Sequence, residues 1–332
     1  MSRIFVIPAS NGDSIHSTSQ IRLLSPLNYL GYPYQIFKLS DIPTLKSDDM
    51  VLIDRYGDLE LDEIATYKII EGLKVSKAKI IYFIDDDLFV ESDRISQKIV
   101  SRVSGFFSIS QRVVTTTSAL QKKILSFGKS VTQIPIHVDY PKRDSLKRPE
   151  VPKKEISIGY MGTFTHIDDL YSWTSQILEL RRSSPWKIHL EIVGGGGSDD
   201  LRQFSKITGA KLIHPPALSH DDFKMWMLKN CNWDFGLAPL RHKEFNLYKS
   251  DIKILDYAGI GAIPVVEDYE PYSRFLSLNV GVLTFEDLKS SVSSLNFLSV
   301  LEAKKEKMAL DIANYRTFEN QKHLWNLLLD VQ

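Results

Sequence analysis

Short runs of β-branched and aromatic residues alternate with longer amphipathic stretches almost from end to end of this 332-residue chain. That alternation constrains the fold more than any other feature, because strands joined through helices form parallel sheets with helices packed on their faces. In the first half, strands are expected at 4–7, 34–38, 50–53, 79–84, 105–109 and 131–134. Helices fill the gaps. One, at 19–30, stops at Gly31 and another, at 118–127, stops at Gly128; glycine tolerates the left-handed conformation that ends helices. Pro141, Pro149 and Pro152 then stand among charged residues with few apolar ones, which marks 141–154 as a linker. A second series follows, with strands expected at 156–161, 187–193, 210–213, 233–238 and 263–266.

Two series of similar size predict two doubly wound α/β domains, 1–145 and 155–315, rather than one sheet. The remaining helix, 316–332, carries an apolar stripe of Phe318, Leu324, Trp325 and Leu328 that needs a surface, expected on the first domain. Hydrophobic residues at 43% are enough for two cores. Forty-one basic residues offset 41 acidic ones, so no overall field draws in nucleic acid, and phosphate-binding charge has to be local. A single cysteine, Cys231, excludes an internal disulfide framework and a Cys-rich zinc site. The opening apolar run is too short for a signal peptide, and no run approaches the roughly 20 apolar residues that cross a bilayer. The expected location is cytoplasmic, with at most a peripheral contact at the inner membrane face. No His-x-x-x-His, Gly-x-x-x-x-Gly-Lys-Ser/Thr or Gly-x-Ser-x-Gly pattern occurs, which removes zincin, P-loop and serine-hydrolase chemistry.

The segment 238–259 is the richest in chemistry. A strand ends at Pro239, a polar loop with Arg241 and Asn246 follows, and a helix is expected from about Ser250. At 100° per residue, Lys249, Lys253 and Asp256 fall on one stripe with apolar residues on both sides, which suits a cleft wall. Free N–H groups at a helix start, backed by lysines, would seat a diphosphate, and Asp256 could accept hydrogen bonds from ribose hydroxyls. The spacing also allows a buried helix in which Lys253 and Asp256 merely pair. Gly159-Tyr160-Met161-Gly162-Thr163 leaves a strand through a small-residue loop that would let backbone amides approach phosphate or sugar, or would serve only as a turn. Gly194–Gly197 reads more simply as a flexible turn.

Asn246 with Lys249-Ser250, then Ile252-Lys253-x-Leu255-Asp256-Tyr257-Ala258, then Gly261-x-Ile263-Pro264-Val265-Val266, resembles the donor-binding segment of retaining GT-B glycosyltransferases of the glycosyltransferase 4-like family. The resemblance is close over 239–266 and loose over most of the chain. It implies the GT-B fold, two Rossmann-like domains facing a cleft, with Asp256 in the place of that family's second glutamate and Tyr248 in the place of its first. It implies a nucleoside diphosphate sugar as co-substrate, no resident cofactor, no metal, and a hexose passed with retention to a glycan or lipid-linked glycan. Gly162, Thr163, Asn246, Ser250, Lys253 and Asp256 would bind the donor. The family's basic pair after the first loop of the second domain is missing here, so Lys249 and Arg241 would neutralise the departing diphosphate. On the acceptor side, Asn11, Gly12 and Asp13 after the first strand and Arg22 on the next helix resemble that family's loop and Arg-x-x-x-Pro element. Ile134-Pro135-Ile136-His137-Val138-Asp139 modestly resembles the segment closing its first domain.

Two other readings stay open. Asp85-Asp86-Asp87 after an apolar strand is the type of sequence with which metal-dependent GT-A transferases hold a cation through Asp85 and Asp87, although it equally suits a helix cap. A sugar-nucleotide-binding protein without turnover is also compatible with Tyr248 replacing a glutamate; a GT-B epimerase or phosphorylase lacks identifiable acid/base or phosphate-site residues.

Overall fold

A computed structural model describes residues 2–329 except 91, 93–94, 138–139, 141–154, 164–165, 195–198, 217, 279 and 294–296. The expected linker therefore lies outside the described residues. Contacts divide the chain into one unit of Met1–His137, Leu247–Ser250 and Phe318–Gln332, and another of Val138–Asn246 and Asp251–Thr317.

The first unit is built on six parallel strands, β1 (Ile4–Ile7), β4 (Tyr34–Ile36), β5 (Met50–Asp54), β6 (Lys79–Ile84), β7 (Arg112–Thr115) and β8 (Ser130–Gln133), in the order β4-β1-β5-β6-β7-β8. A two-residue turn at Gly12-Asp13 separates two short antiparallel strands, β2 (Ser10–Asn11) and β3 (Ser14–Ile15). Every residue of β1 and β5 is buried, as expected of strands covered on both faces. Trp325 of the helix Phe318–Leu328 is fully buried in this core, its ring stacked 5.9 Å from that of Phe83.

Two expectations need correction here. Residues 105–109 are not a strand but the end of the helix Gln97–Ile109, started by the Ser96 hydroxyl, which accepts the Ile99 N–H. Its buried positions, Arg102, Val103 and Phe106, follow the helical period, which a five-residue window is too short to reveal. The strand comes later, as β7. The helix at 19–30 is interrupted: a π-helical stretch, Gln20–Leu24, separates Ser17–Ser19 from Ser25–Leu30, and Gly31 ends the last at φ 74°. Such bulges re-aim one side chain, here the buried Arg22.

The second unit has six parallel strands, β9 (Glu155–Gly162), β10 (Lys187–Gly194), β11 (Lys211–Ile213), β12 (Phe235–Ala238), β13 (Ile263–Val266) and β14 (Leu283–Thr284), ordered β11-β10-β9-β12-β13-β14. This is the 3-2-1-4-5-6 order of the Rossmann fold. Its helices bury side chains against both faces. Gly159 in β9 lets the Trp233 indole lie flat on the strand, since a Cβ there would come within 1.7 Å of the ring.

Candidate active site

In each sheet the chain leaves the central strand toward one edge and later resumes on the other side, and ligands of open α/β sheets bind beyond the carboxyl ends at that switch. In the second unit the switch falls between β9 and β12. These strands pair only at Phe235–Ile158 and Gly236–Gly159, whereas β9 and β10 stay in register from Glu155–Lys187 to Gly162–Gly194. Beyond Gly159 the two central strands part. Tyr257, fully buried on the helix Ile252–Gly259, fills the opening: its hydroxyl donates to the Leu237 carbonyl at 2.6 Å and accepts the Met161 N–H at 3.2 Å. Burial holds the Tyr257 phenol well above its ordinary range, so it remains a donor. Sequence reading saw Tyr257 only as an apolar flank.

Around this opening stand Gly162 and the exposed Thr163 at the end of β9, Arg241 after β12, and Lys253 in the first turn of the helix. The Lys253 ammonium lies 4.4 Å from the centre of the Tyr160 ring, and the Tyr160 hydroxyl donates to the His166 carbonyl at 3.3 Å. A Cβ at Gly162 would approach that hydroxyl to 2.6 Å. The Arg241 guanidinium is 44% exposed and 3.5 Å from Asp168. Its backbone is fixed by Asp169, only 2% exposed, whose Oδ1 accepts the Arg241 N–H at 3.1 Å and the Asn246 amide at 3.4 Å. The same amide donates to the Arg241 carbonyl at 2.8 Å. Asn246 is thus buried and positions the Arg241 loop. Glu267, directly after β13, accepts the Trp173 indole N–H at 2.7 Å and sits 3.3 Å from His242, whose ring stacks on Tyr269. Neither Asp169 nor Glu267 was singled out from the sequence; the available signal was an acidic residue directly after an apolar strand or entering a helix.

Asp256 is 5% exposed, and its Oδ1 accepts the Tyr140 hydroxyl at 2.7 Å with His220 at 3.8 Å. Lys249 does not share a helical stripe with Lys253 and Asp256, because the helix starts at Ile252 and Lys249 precedes it. Asp251 stands between Lys249 and the helix. This residue is 2% exposed, accepts from Arg316 at 2.7 and 2.9 Å, and also pairs with Arg274. Burial alone would raise its carboxyl, but the two guanidiniums outweigh this and hold it below the usual range.

Lys249 and the half-buried Ser250 are counted with the first unit. There the switch falls between β1 and β5, and the carboxyl edge carries a dense ionic cluster. Buried Arg22 pairs with Asp54 and with Asp85, and Arg55 donates to Asp85 and Asp86 at 2.6 Å each. Arg55 directly follows β5 with φ 48°, a left-handed conformation that non-glycine residues adopt rarely. Lys123 pairs with Asp87 and lies 4.7 Å from the Tyr248 ring centre, while the positive charge of Lys249 acts on Asp86. Burial would raise the Asp85 carboxyl, but Arg22 and Arg55 hold it well below the carboxylate range; Asp86 is raised, first by burial and then by Asp85. Each carboxylate of Asp85-Asp86-Asp87 therefore already faces a cation of the protein. Among the described residues no three His, Cys, Asp or Glu side chains converge as metal ligands.

On the same edge, Asn11 and Asp13 are exposed on the β2–β3 turn, and the Gly12 N–H donates to Asp58 at 2.9 Å. His16 sits 2.9 Å from the Tyr56 hydroxyl; burial, then Arg55, lowers its pKa. Arg22 fastens the ends of β5 and β6 to the interrupted helix.

Two parallel six-stranded sheets, each doubly wound, define the GT-B class of fold. Solved glycosyltransferase structures share it. Staphylococcus aureus TarM superposes with TM-score 0.62 at 12% identity, covering 88% of this chain and 57% of its own. The pneumococcal O-GlcNAc transferase GtfA, solved with UDP and GlcNAc, gives 0.58 at 14%, covering 88% and 59%. Sucrose-phosphate synthase from Thermosynechococcus elongatus gives 0.66 at 9%, covering the whole of both chains. The chain thus spans a little under three fifths of the length of TarM and GtfA. No protein-family model matches the sequence, and no curated protein matches it either. Identities this low carry the fold alone. The expected GT-B architecture is the observed one, which also removes the GT-A fold on which the Asp85/Asp87 metal reading rested.

Proposed function

We propose that the protein is a glycosyltransferase that moves a hexose from a nucleoside diphosphate sugar to a glycan or lipid-linked glycan, without metal and with retention of configuration. The observation that carries this reading is the parted β9–β12 edge in the second unit, with two basic side chains, Lys253 and Arg241, beside the backbone of Gly162 and Thr163. Breaking the donor's glycosidic bond leaves negative charge on the diphosphate, and fixed cations and N–H groups stabilise it most when oriented beforehand. Lys253, held against Tyr160, supplies such a cation, and Arg241, whose backbone is fixed by Asp169 and Asn246, supplies a second. Fold neighbours support the donor class: the O-GlcNAc transferase GtfA was solved with UDP and GlcNAc. A ribose contact at Asp256 would use Oδ2, or require Tyr140 to release Oδ1.

The experiment is a thermal-shift and hydrolysis screen against UDP-, GDP-, dTDP- and ADP-sugars, followed by kinetics of Lys253→Met and Lys249→Ala. Loss of one stabilising cation lowers turnover by about 10² or more. If Lys253→Met turns over its donor as the parent does, the proposed diphosphate seat is wrong. Donor binding with no hydrolysis or transfer to any glycan would instead identify a binding protein. Lys249→Ala tests separately whether the lysine beside Asp86 takes part in turnover, the role expected from the sequence.

A further inference from the structure

The second unit carries a groove that the proposed donor site does not use. It runs along the helix Thr174–Ser183 to the end of the helix Asp199–Thr208, has a volume of about 590 Å³, and is lined chiefly by Leu178, Arg181, Arg182, Lys206, Ile207 and Thr208. The two helices end just before β10 and β11 begin, so the charged end of the groove lies toward the sheet edge opposite the carboxyl ends that border Gly162 and Arg241. All three cations are exposed, and none of the lining residues is acidic. The acidic residues nearby are engaged or distant. Glu179, on which the charge of Arg182 also acts, pairs with Lys289, and Glu155 pairs with Lys187 and His189. Asp199 and Asp200 begin the second helix, at the end away from Lys206. Helix C-termini attract cations, and Arg181 caps one by donating to the Thr208 carbonyl. Capping does not account for the whole cluster. Two helix ends carry about half a negative charge each, so they balance roughly one of the three cations and leave about two in excess.

We propose that this groove binds a small organic phosphate, with the phosphoryl group against Arg181, Arg182 and Lys206 and the carbon part over Leu178 and Ile207. A phosphoryl monoester carries about −1.5 to −2 near neutral pH, which matches the excess of positive charge, whereas a single carboxylate would leave one cation unmatched. Guanidinium N–H pairs fit phosphate oxygens, and such charge-assisted hydrogen bonds are among the strong ones. The apolar wall suits an organic ligand over a bare ion: Leu178 is half-buried and Ile207 is 45% exposed beside the cations. The volume is within the roughly 300–1,000 Å³ of small-molecule sites. The inference does not rest on glycosyl transfer and needs no donor.

The test is isothermal titration calorimetry of the full chain with inorganic phosphate, phenyl phosphate and phenol near neutral pH, at low and high salt. Phenyl phosphate binds more tightly than inorganic phosphate, phenol does not bind, and added salt weakens both phosphates. Arg182→Gln/Lys206→Gln, two exposed changes away from the donor site, lowers the affinity for phenyl phosphate by about tenfold or more. Ile207→Ser brings that affinity toward the value for inorganic phosphate. Lys253→Met binds phenyl phosphate as the parent does, which separates this groove from the donor site. The proposal is overturned if neither phosphate binds, if the Arg182/Lys206 variant binds like the parent, or if the loss appears in Lys253→Met instead. It also falls if heparin binds through Arg182 and Lys206 while phenyl phosphate does not, since the occupant would then be a polymer.

Discussion

Tyr257→Phe removes one oxygen atom and tests how the second unit holds its site open. In the parent, that oxygen satisfies two buried backbone groups that the parted strands leave without ladder partners, the N–H of Met161 and the carbonyl of Leu237; these residues are 7% and 1% exposed. Phenylalanine fits the same space and satisfies neither. An unpaired buried amide group costs about 1–3 kcal/mol, so the substitution should destabilise the second unit by roughly 2–5 kcal/mol. For a unit of this size that lowers its melting temperature by roughly 5–15 °C. Urea denaturation, with hydrogen exchange resolved to peptides of the second unit, measures the loss, and donor titration follows the site. One relaxation is available: β9 and β12 can zip together past Gly159, which recovers stability but closes the opening, so donor affinity falls instead. Because burial keeps the Tyr257 phenol protonated, either effect is independent of pH through the neutral range. A Tyr257→Phe protein within about 0.5 kcal/mol of the parent that also binds donor equally well would refute the role of this hydroxyl in holding the strands apart.

Two further predictions concern stability. Asp251→Ala leaves the 8%-exposed Arg316 without its bidentate carboxylate and should cost about 3–5 kcal/mol, measured by urea denaturation. The Asp251 carboxyl is depressed in the fold below its ordinary 3.8, so its contribution is complete above that value and is lost as pH falls through the folded pKa; Asp251→Asn should lack that acid-side loss. Gly159→Ala places a methyl within 1.7 Å of the Trp233 ring and should cost at least about 1–3 kcal/mol, partly recovered by Trp233→Leu in the same chain. Equal melting of Gly159→Ala and parent would mean that the indole does not lie on β9.

The parts of this molecule that were legible in sequence are those in which a residue's neighbours along the chain decide its place. Strands such as β5 and β13 are buried on both faces and read as unbroken apolar runs; Gly31 announces a helix end by its own backbone freedom. Gly162, Arg241 and Lys253 reach the parted edge because a strand end, the loop after the next strand and a helix start are each local features. Where distant partners decide, the pattern was silent or misleading. The helix expected from about Ser250 starts at Ile252, and Asp251 just before it is held by Arg316, 65 positions away, which no window around Ser250 contains. Asp256 reads as a cleft-lining acceptor or a partner of Lys253; that Tyr140, 116 positions earlier, donates to its Oδ1 is not legible from the segment.

Asp85-Asp86-Asp87 shows the same principle with the opposite temptation. Three adjacent carboxylates after a strand suggest a cation, and the structure places protein cations beside them, Arg22, Arg55, Lys123 and Lys249. A buried carboxylate needs positive charge nearby whatever its function, so an acidic motif in sequence states only the sign of its partner. Which partner it finds is settled by the sheet, which brings the ends of β5, β6 and β7 and the interrupted helix to one edge. The chemistry assigned to this chain therefore rests less on its most acidic motif than on the place where two central strands separate and Tyr257 holds them apart.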